Sequence, residues 1–219
     1  MTGRNMGLYE LETGSVLLVE DWGYVVKDPT HTGIAAGQAL LSHGRKASSN
    51  VTHAGIADGS NRILEASGAE GLRGANFFDV HYGTKYQVYR YMGNPRIPAL
   101  AAHWAEKYIS MRNGQTNKNV GFGRYDLAGA VGCLFASSKR GTGAMASVIG
   151  LAKNPNYDRG FYCSSFVVEC YELACADLQI VPVIDVDYRY VSPKMLQSVL
   201  RNSKDWHHDG NYTVGGIAS

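Results

Sequence analysis

The chain has 219 residues, enough for one sizeable domain with its own core. Its hydrophobic share of 45% and charged share of 18% are those of an ordinary globular protein, and a net charge of +2 with no Arg/Lys cluster leaves no basic field to hold nucleic acid. No stretch approaches the ~20 apolar residues of a membrane span, and the opening MTGRNMGLYELETG lacks the apolar run of a signal peptide, so synthesis in the cytoplasm without a leader is expected.

In chain order, GSVLLVED (14–21) is a short apolar run behind a glycine and reads as a buried strand. GIAAGQALLSHG (33–44) has helical apolar spacing and ends at glycine. A hairpin follows, with arms near 51–57 and 61–66 joined by the turn Asp58-Gly59-Ser60. KYQVYRYM (85–92) alternates in the manner of a half-buried strand. IPALAAHWAEKYISMRN (97–113) carries Leu100, Ala101, Trp104, Tyr108 and Met111 along one side of a helix. Asp126 is suited to cap a helix running to about residue 138. The stretch 139–160 reads as loop, short helix and loop, and CSSFVVECYELACADL (163–178) as the clearest helix. VPVIDVDYRYVSP (181–193) reads as a final strand region, Ser192-Pro193 as the start of a terminal helix, and HHDGNYTVGGIAS as a frayed or loosely docked end.

The hairpin holds two titratable groups where valine or threonine would serve. If Ala57 pairs with Asn61, paired numbers sum to 118 and His53 faces Glu65, with Cβ atoms roughly 4.5–5.5 Å apart. A carboxylate beside one ring nitrogen orients an imidazole and favours its cationic form. The plain alternative is a cross-strand pair on a solvated face. Of the four cysteines, Cys133, Cys163, Cys170 and Cys175, none forms a Cys-x-x-Cys pair, so neither a metal knuckle nor a disulfide framework is expected. Cys170, with Phe166, Val167 and Leu173, falls on a buried helical stripe; Cys175 and Cys133 read as small core residues. Cys163 differs, because it opens its helix, where free N–H groups and the dipole favour a thiolate. Cys163, His53 and Glu65 have the residue types of a nucleophile, its base and the base's orienter.

SSNVTHAGIA, Glu65 and FYCSSFVVECYE, with TGSVLLVED, GQALL, YQVYRY and GRYDLAGAVG, resemble the circularly permuted branch of the NlpC-like, papain-fold cysteine hydrolases, which includes relatives of lecithin:retinol acyltransferase. The resemblance spans roughly residues 14–191. It implies an α+β, papain-like domain over 1–219, with an antiparallel sheet of about five or six strands, the cysteine helix packed on it, and a helical insertion at about 97–160. It implies Cys163 as nucleophile, His53 as base and Glu65 as polar orienter, with an oxyanion held by the Cys163 N–H and a side-chain donor among Tyr125, Tyr157 and Tyr162.

The substrate it implies is an amide or ester, and the usual target is a peptidoglycan stem peptide, giving an endopeptidase or amidase. The missing leader then fits a toxin delivered to a rival's periplasm, such as a type VI secretion effector, whose partners would be an immunity protein and secretion machinery. The alternatives are a lipid or protein acyl hydrolase or acyltransferase, and a non-catalytic binding module on the same scaffold. No cofactor is expected. His53, Glu65 and Cys163 as zinc ligands is a further reading, weakened by the lack of a close-spaced ligand pair. His31, His43, His81, His103, His207, His208 and Trp22, Trp104 and Trp206 are expected to be surface or packing residues.

Overall fold

A computed structural model of the chain describes residues 4–5, 11–20, 51–68, 70–80, 83–114, 122–132 and 160–214. The expected helix at 33–44, most of the 139–160 stretch, and Cys133, Tyr157, Trp22, His31, His43 and His81 lie outside these residues.

The architecture is α+β, built on a mostly antiparallel sheet. Its strands are β1 (Arg4–Asn5), β2 (Val16–Val19), β3 (His53–Ala57), β4 (Arg62–Ser67), β5 (Gly71–Asn76), β6 (Lys85–Tyr91) and β9 (Trp206–Thr213). They lie in the order β1-β9-β6-β2-β3-β4-β5, seven where five or six are expected, and only the β1/β9 pairing is parallel. A separate parallel pair joins β7 (Arg124–Tyr125) to β8 (Gly160–Phe161). The helices are α1 (Phe77–Val80), α2 (Arg96–Asn113), α3 (Leu127–Gly132), α4 (Cys163–Asp177) and α5 (Pro193–Asn202).

The sheet is buried on both faces, which explains the unbroken apolar run of β2. Val16 and Leu18 enter a large core with Ile56, Leu64, Phe166, Val167 and Leu196. Leu17 and Val19 enter a second core with Ala57, Ile63, Phe77, Tyr86, Val88 and Tyr212. In the large core α2 packs on α4 through an aromatic cluster, Tyr108, Phe122, Phe161 and Phe166, with neighbouring ring centroids 5.3–6.0 Å apart. The Tyr108 hydroxyl donates to Glu169 Oε1 at 2.7 Å, giving one of the carboxylates buried in α4 a partner. Residues 163–175 of α4 are all buried, so this helix is central rather than amphipathic. Its Tyr171 hydroxyl donates to the carbonyl of Gly14. Gly14 has φ +84, and a Cβ there would lie 2.2 Å from the Pro98 carbonyl, so only glycine fits.

Several expectations are met. Asp126 Oδ1 accepts from Gly129 N–H at 2.8 Å and caps α3. Ser192 Oγ accepts from Met195 N–H at 3.2 Å, with Pro193 opening α5. Trp104 and Trp206 pack and also donate, to Asp177 and to the Val183 carbonyl; His103, His207 and His208 are exposed.

Three expectations are corrected. Residues 207–214, the described part of the expected loose end, are not frayed: β9 pairs along the whole of β6, with a bulge opposite Val88/Tyr89 where Gly210 has φ +133. The 181–193 region is not a strand. It is an irregular segment ending in a 3-10 turn (Tyr188–Tyr190) whose first N–H groups are met by Asp187. The hairpin register also differs. Gly55 faces Glu65, Ile56 faces Leu64 and Ala57 faces Ile63, so paired numbers sum to 120. Asp58 Oδ1 accepts from Ser60 N–H at 2.8 Å and Arg62 N–H at 3.3 Å, which widens the turn beyond three residues.

Candidate active site

His53 is the first residue of β3 and Cys163 the first of α4, and α4 packs across β3 and β4. With the widened turn, His53 and Glu65 are diagonal neighbours on one sheet face rather than directly opposed. They still meet: His53 Nε2 lies 2.6 Å from Glu65 Oε2. The other oxygen, Oε1, accepts from Arg73 Nε at 2.8 Å and Nη2 at 2.7 Å. Arg73 sits directly opposite Glu65 on β5, and its Nη1 reaches Glu70 at 2.9 Å. An imidazole, a carboxylate and a guanidinium thus run in a row across three strands.

Arg73 was not foreseen. β5, GLRGAN, contains two glycines and no apolar alternation, so only its pairing with β4 reveals it.

His53 is buried, as is Glu65, and burial alone would strip the ring of its proton. Against that, the charge of the Cys163 sulfur and of Glu65, with a side-chain hydrogen bond to each, pushes the His53 pKa up to about 10. The ring is therefore an imidazolium at neutral pH. Glu65 occupies Nε2, and the Cys163 sulfur acts on the same ring. Glu65 uses one oxygen on His53 and the other on Arg73. Among the described residues no group of three or more His, Cys, Asp or Glu is arranged to hold a metal ion.

Cys163 exposes 1% of its surface. At the head of α4 the first helical acceptor is the Tyr162 carbonyl, which takes the Phe166 N–H at 3.0 Å. The N–H groups of Cys163, Ser164 and Ser165 precede it and have no carbonyl of their own helix to meet. Ser165 Oγ closes the turn, accepting from Tyr162 N–H at 3.1 Å and donating to the Tyr162 carbonyl at 2.8 Å. The Tyr162 hydroxyl donates to the Tyr188 carbonyl at 3.0 Å, and this engagement turns it away from the oxyanion role open to it in the sequence. Ser164 Oγ donates to the Val191 carbonyl at 2.5 Å. The 187–192 segment is therefore fastened over the start of α4 on both sides of Cys163. Cys170 and Cys175 are fully buried further along the helix.

The arrangement contains what acyl transfer through sulfur needs: a sulfur, a proton carrier held by a fixed anion, and N–H groups at a helix start. The fold class is α+β with a mostly antiparallel sheet. In comparisons with known proteins the chain matches no family model, no curated protein and no solved structure. Among the described residues no helix is long and apolar enough to cross a membrane.

Proposed function

We propose that this protein is a papain-like cysteine hydrolase that cleaves an amide bond, with Cys163 as nucleophile, His53 as its acid–base partner and Glu65 as the group that orients the ring. The observation that carries the reading is a buried His53 ring whose Nε2 lies 2.6 Å from Glu65 Oε2 and on which the Cys163 sulfur also acts, both favouring the ring's cationic form. A cation buried there needs an anion beside it, and Glu65 supplies one.

His53 holds the proton taken from Cys163, and the sulfur attacks the carbonyl carbon. The carbonyl π pair moves to oxygen, where the backbone N–H of Cys163 meets the developing charge. When the C–N bond breaks, His53 returns its proton to the departing amine. His53 then draws a proton from water, which adds to the thioester and releases the acid and the free thiol. Glu65 stays ionised throughout, with Arg73 anchoring it. The substrate class we favour is a peptide of the peptidoglycan stem type, to which the sequence resemblance also points.

Purified protein incubated with muropeptides, followed by mass spectrometry, tests the reading. Stem peptides shortened by wild type and left whole by Cys163→Ala support it. Whole stem peptides after long incubation with wild type remove that substrate, and transfer from lipid acyl donors to Cys163 would point to acyl-lipid chemistry instead. Cys163→Ala also removes one of the two groups that favour the cationic His53 ring, so a lowered thermal midpoint is expected, and an unchanged circular dichroism spectrum checks that the variant is still folded when its activity is read.

A further inference from the structure

Arg189 is built like a recognition group. Residues 162 and 164, on either side of Cys163, bond to the carbonyls of Tyr188 and Val191. Those two anchors bracket Arg189 and Tyr190 in turn. Arg189 is also preset. Asp187, buried, accepts from its Nε at 2.9 Å, its Nη2 at 2.5 Å and its backbone N–H at 3.0 Å. The guanidinium carbon lies 5.9 Å from the Tyr188 ring and 5.4 Å from the Tyr190 ring. Three hydrogen bonds and two rings fix a side chain that is nevertheless 43% exposed, and its Nη1 meets no acceptor among the described residues. The two anchors thus bring Arg189 to the start of the helix that Cys163 opens, with much of its guanidinium open to solvent.

We infer that Arg189, preset by Asp187, binds a carboxylate of the substrate next to the carbonyl that Cys163 attacks. This rests on the reading of Cys163 as nucleophile and adds what that reading lacks, a determinant of which peptide is taken. A planar guanidinium with free outer donors suits a carboxylate, and a charge-assisted hydrogen bond of this kind favours the charged ligand by about tenfold or more over its neutral isostere. Stem peptides, which carry free carboxylates near their amide bonds, fit the class.

The test uses two small electrophiles on the full chain, iodoacetate and iodoacetamide, with alkylation of Cys163 followed by peptide mass spectrometry. The variant is Asp187→Asn combined with Arg189→Met. It removes both charges together, so no buried carboxylate is stranded, and the new carboxamide oxygen still accepts the N–H of residue 189. The His53 cation also draws iodoacetate, but equally in both proteins, so the ratio of the two rates reads the contribution of the Asp187–Arg189 pair, in which only Arg189 can attract a carboxylate. The expected result is an iodoacetate-to-iodoacetamide ratio about tenfold lower in the variant, with the iodoacetamide rate held. An unchanged ratio overturns the assignment of Arg189 and leaves the nucleophile standing. Equal loss of both rates shows that the pair only braces the loop, and also overturns it. A wild-type Cys163 that reacts with neither reagent, while the unfolded chain reacts with both, overturns the nucleophile and this inference together.

Discussion

The His53 ring is the residue on which the proposed chemistry turns. Its pKa, about 10 in the folded chain against 6.5 for a free imidazole, ties both activity and stability to pH. The folded value lies above the unfolded one. The stabilisation is therefore complete below about pH 6.5 and disappears as pH rises through about 10. Glu65→Gln removes one of the two charges that raise it. The alkaline limb of kcat/KM, set by loss of the proton that the leaving amine must receive, is expected near pH 10 in wild type and at least about one unit lower in the variant. The fall in thermal midpoint between about pH 7 and pH 10.5 should shrink in the same variant. An alkaline limb that does not move would show that Glu65 has no hold on the ring. His53 and Glu65 were legible as a pair because a two-residue period puts both on one face whether the register sum is 118 or 120. The two-residue offset itself was hidden in the Asp58 turn, where side-chain bonds to Ser60 and Arg62 decide the loop length.

Among the elements, β5 has the strongest hold on the site without touching the sulfur. It supplies Arg73, the counterion of a fully buried carboxylate. Arg73→Met leaves that carboxylate half-paired beside an imidazolium, and is expected to cost about 3 kcal/mol in urea denaturation. Combining it with Glu65→Gln should cost less than the sum of the two single changes, since the stranded charge is gone; strict additivity would mean that the two side chains do not depend on each other. The elements that could be read were those with an intact local signal: the apolar run of β2, the alternation of β6, the helical spacing within α2 and α4, and the Ser192-Pro193 start of α5. β9 could not be read, because Asp209 and Gly210 insert a bulge that breaks the alternation between Trp206 and Tyr212. The stretch 181–193 misled in the opposite way. Its alternating Ile184, Asp185, Val186 and Asp187 mimic a strand, yet Asp187 turns inward to hold Arg189 and, among the described residues, no neighbouring strand offers a ladder.

For the whole molecule, the two-sided sheet sets the terms of folding. Each central strand must be covered above and below, and β9 is what covers the far edge of β6. A chain ending at Asp205 would bare that edge and remove Tyr212 from the second core. It is expected to lose its near-ultraviolet circular dichroism and to aggregate, whereas a cooperative melt close to that of the full chain would show β9 to be an ornament. The α+β class was expected from the family resemblance of short motifs, and the mostly antiparallel sheet agrees with that class. What the helices cover, and with which side chain they greet a substrate, depends on contacts between distant segments that no local pattern records. The β1/β9 ladder has one more implication. Arg4 lies beside Tyr212 and Asn5 beside Thr213, so the first and last strands are seamed together. A short bridge across that seam, with a new opening at the exposed Gly93–Asn94 turn, would yield a polypeptide in which the sulfur is translated before the imidazole. It should melt and react as the parent does, because the site depends on which strands lie side by side and not on which is made first.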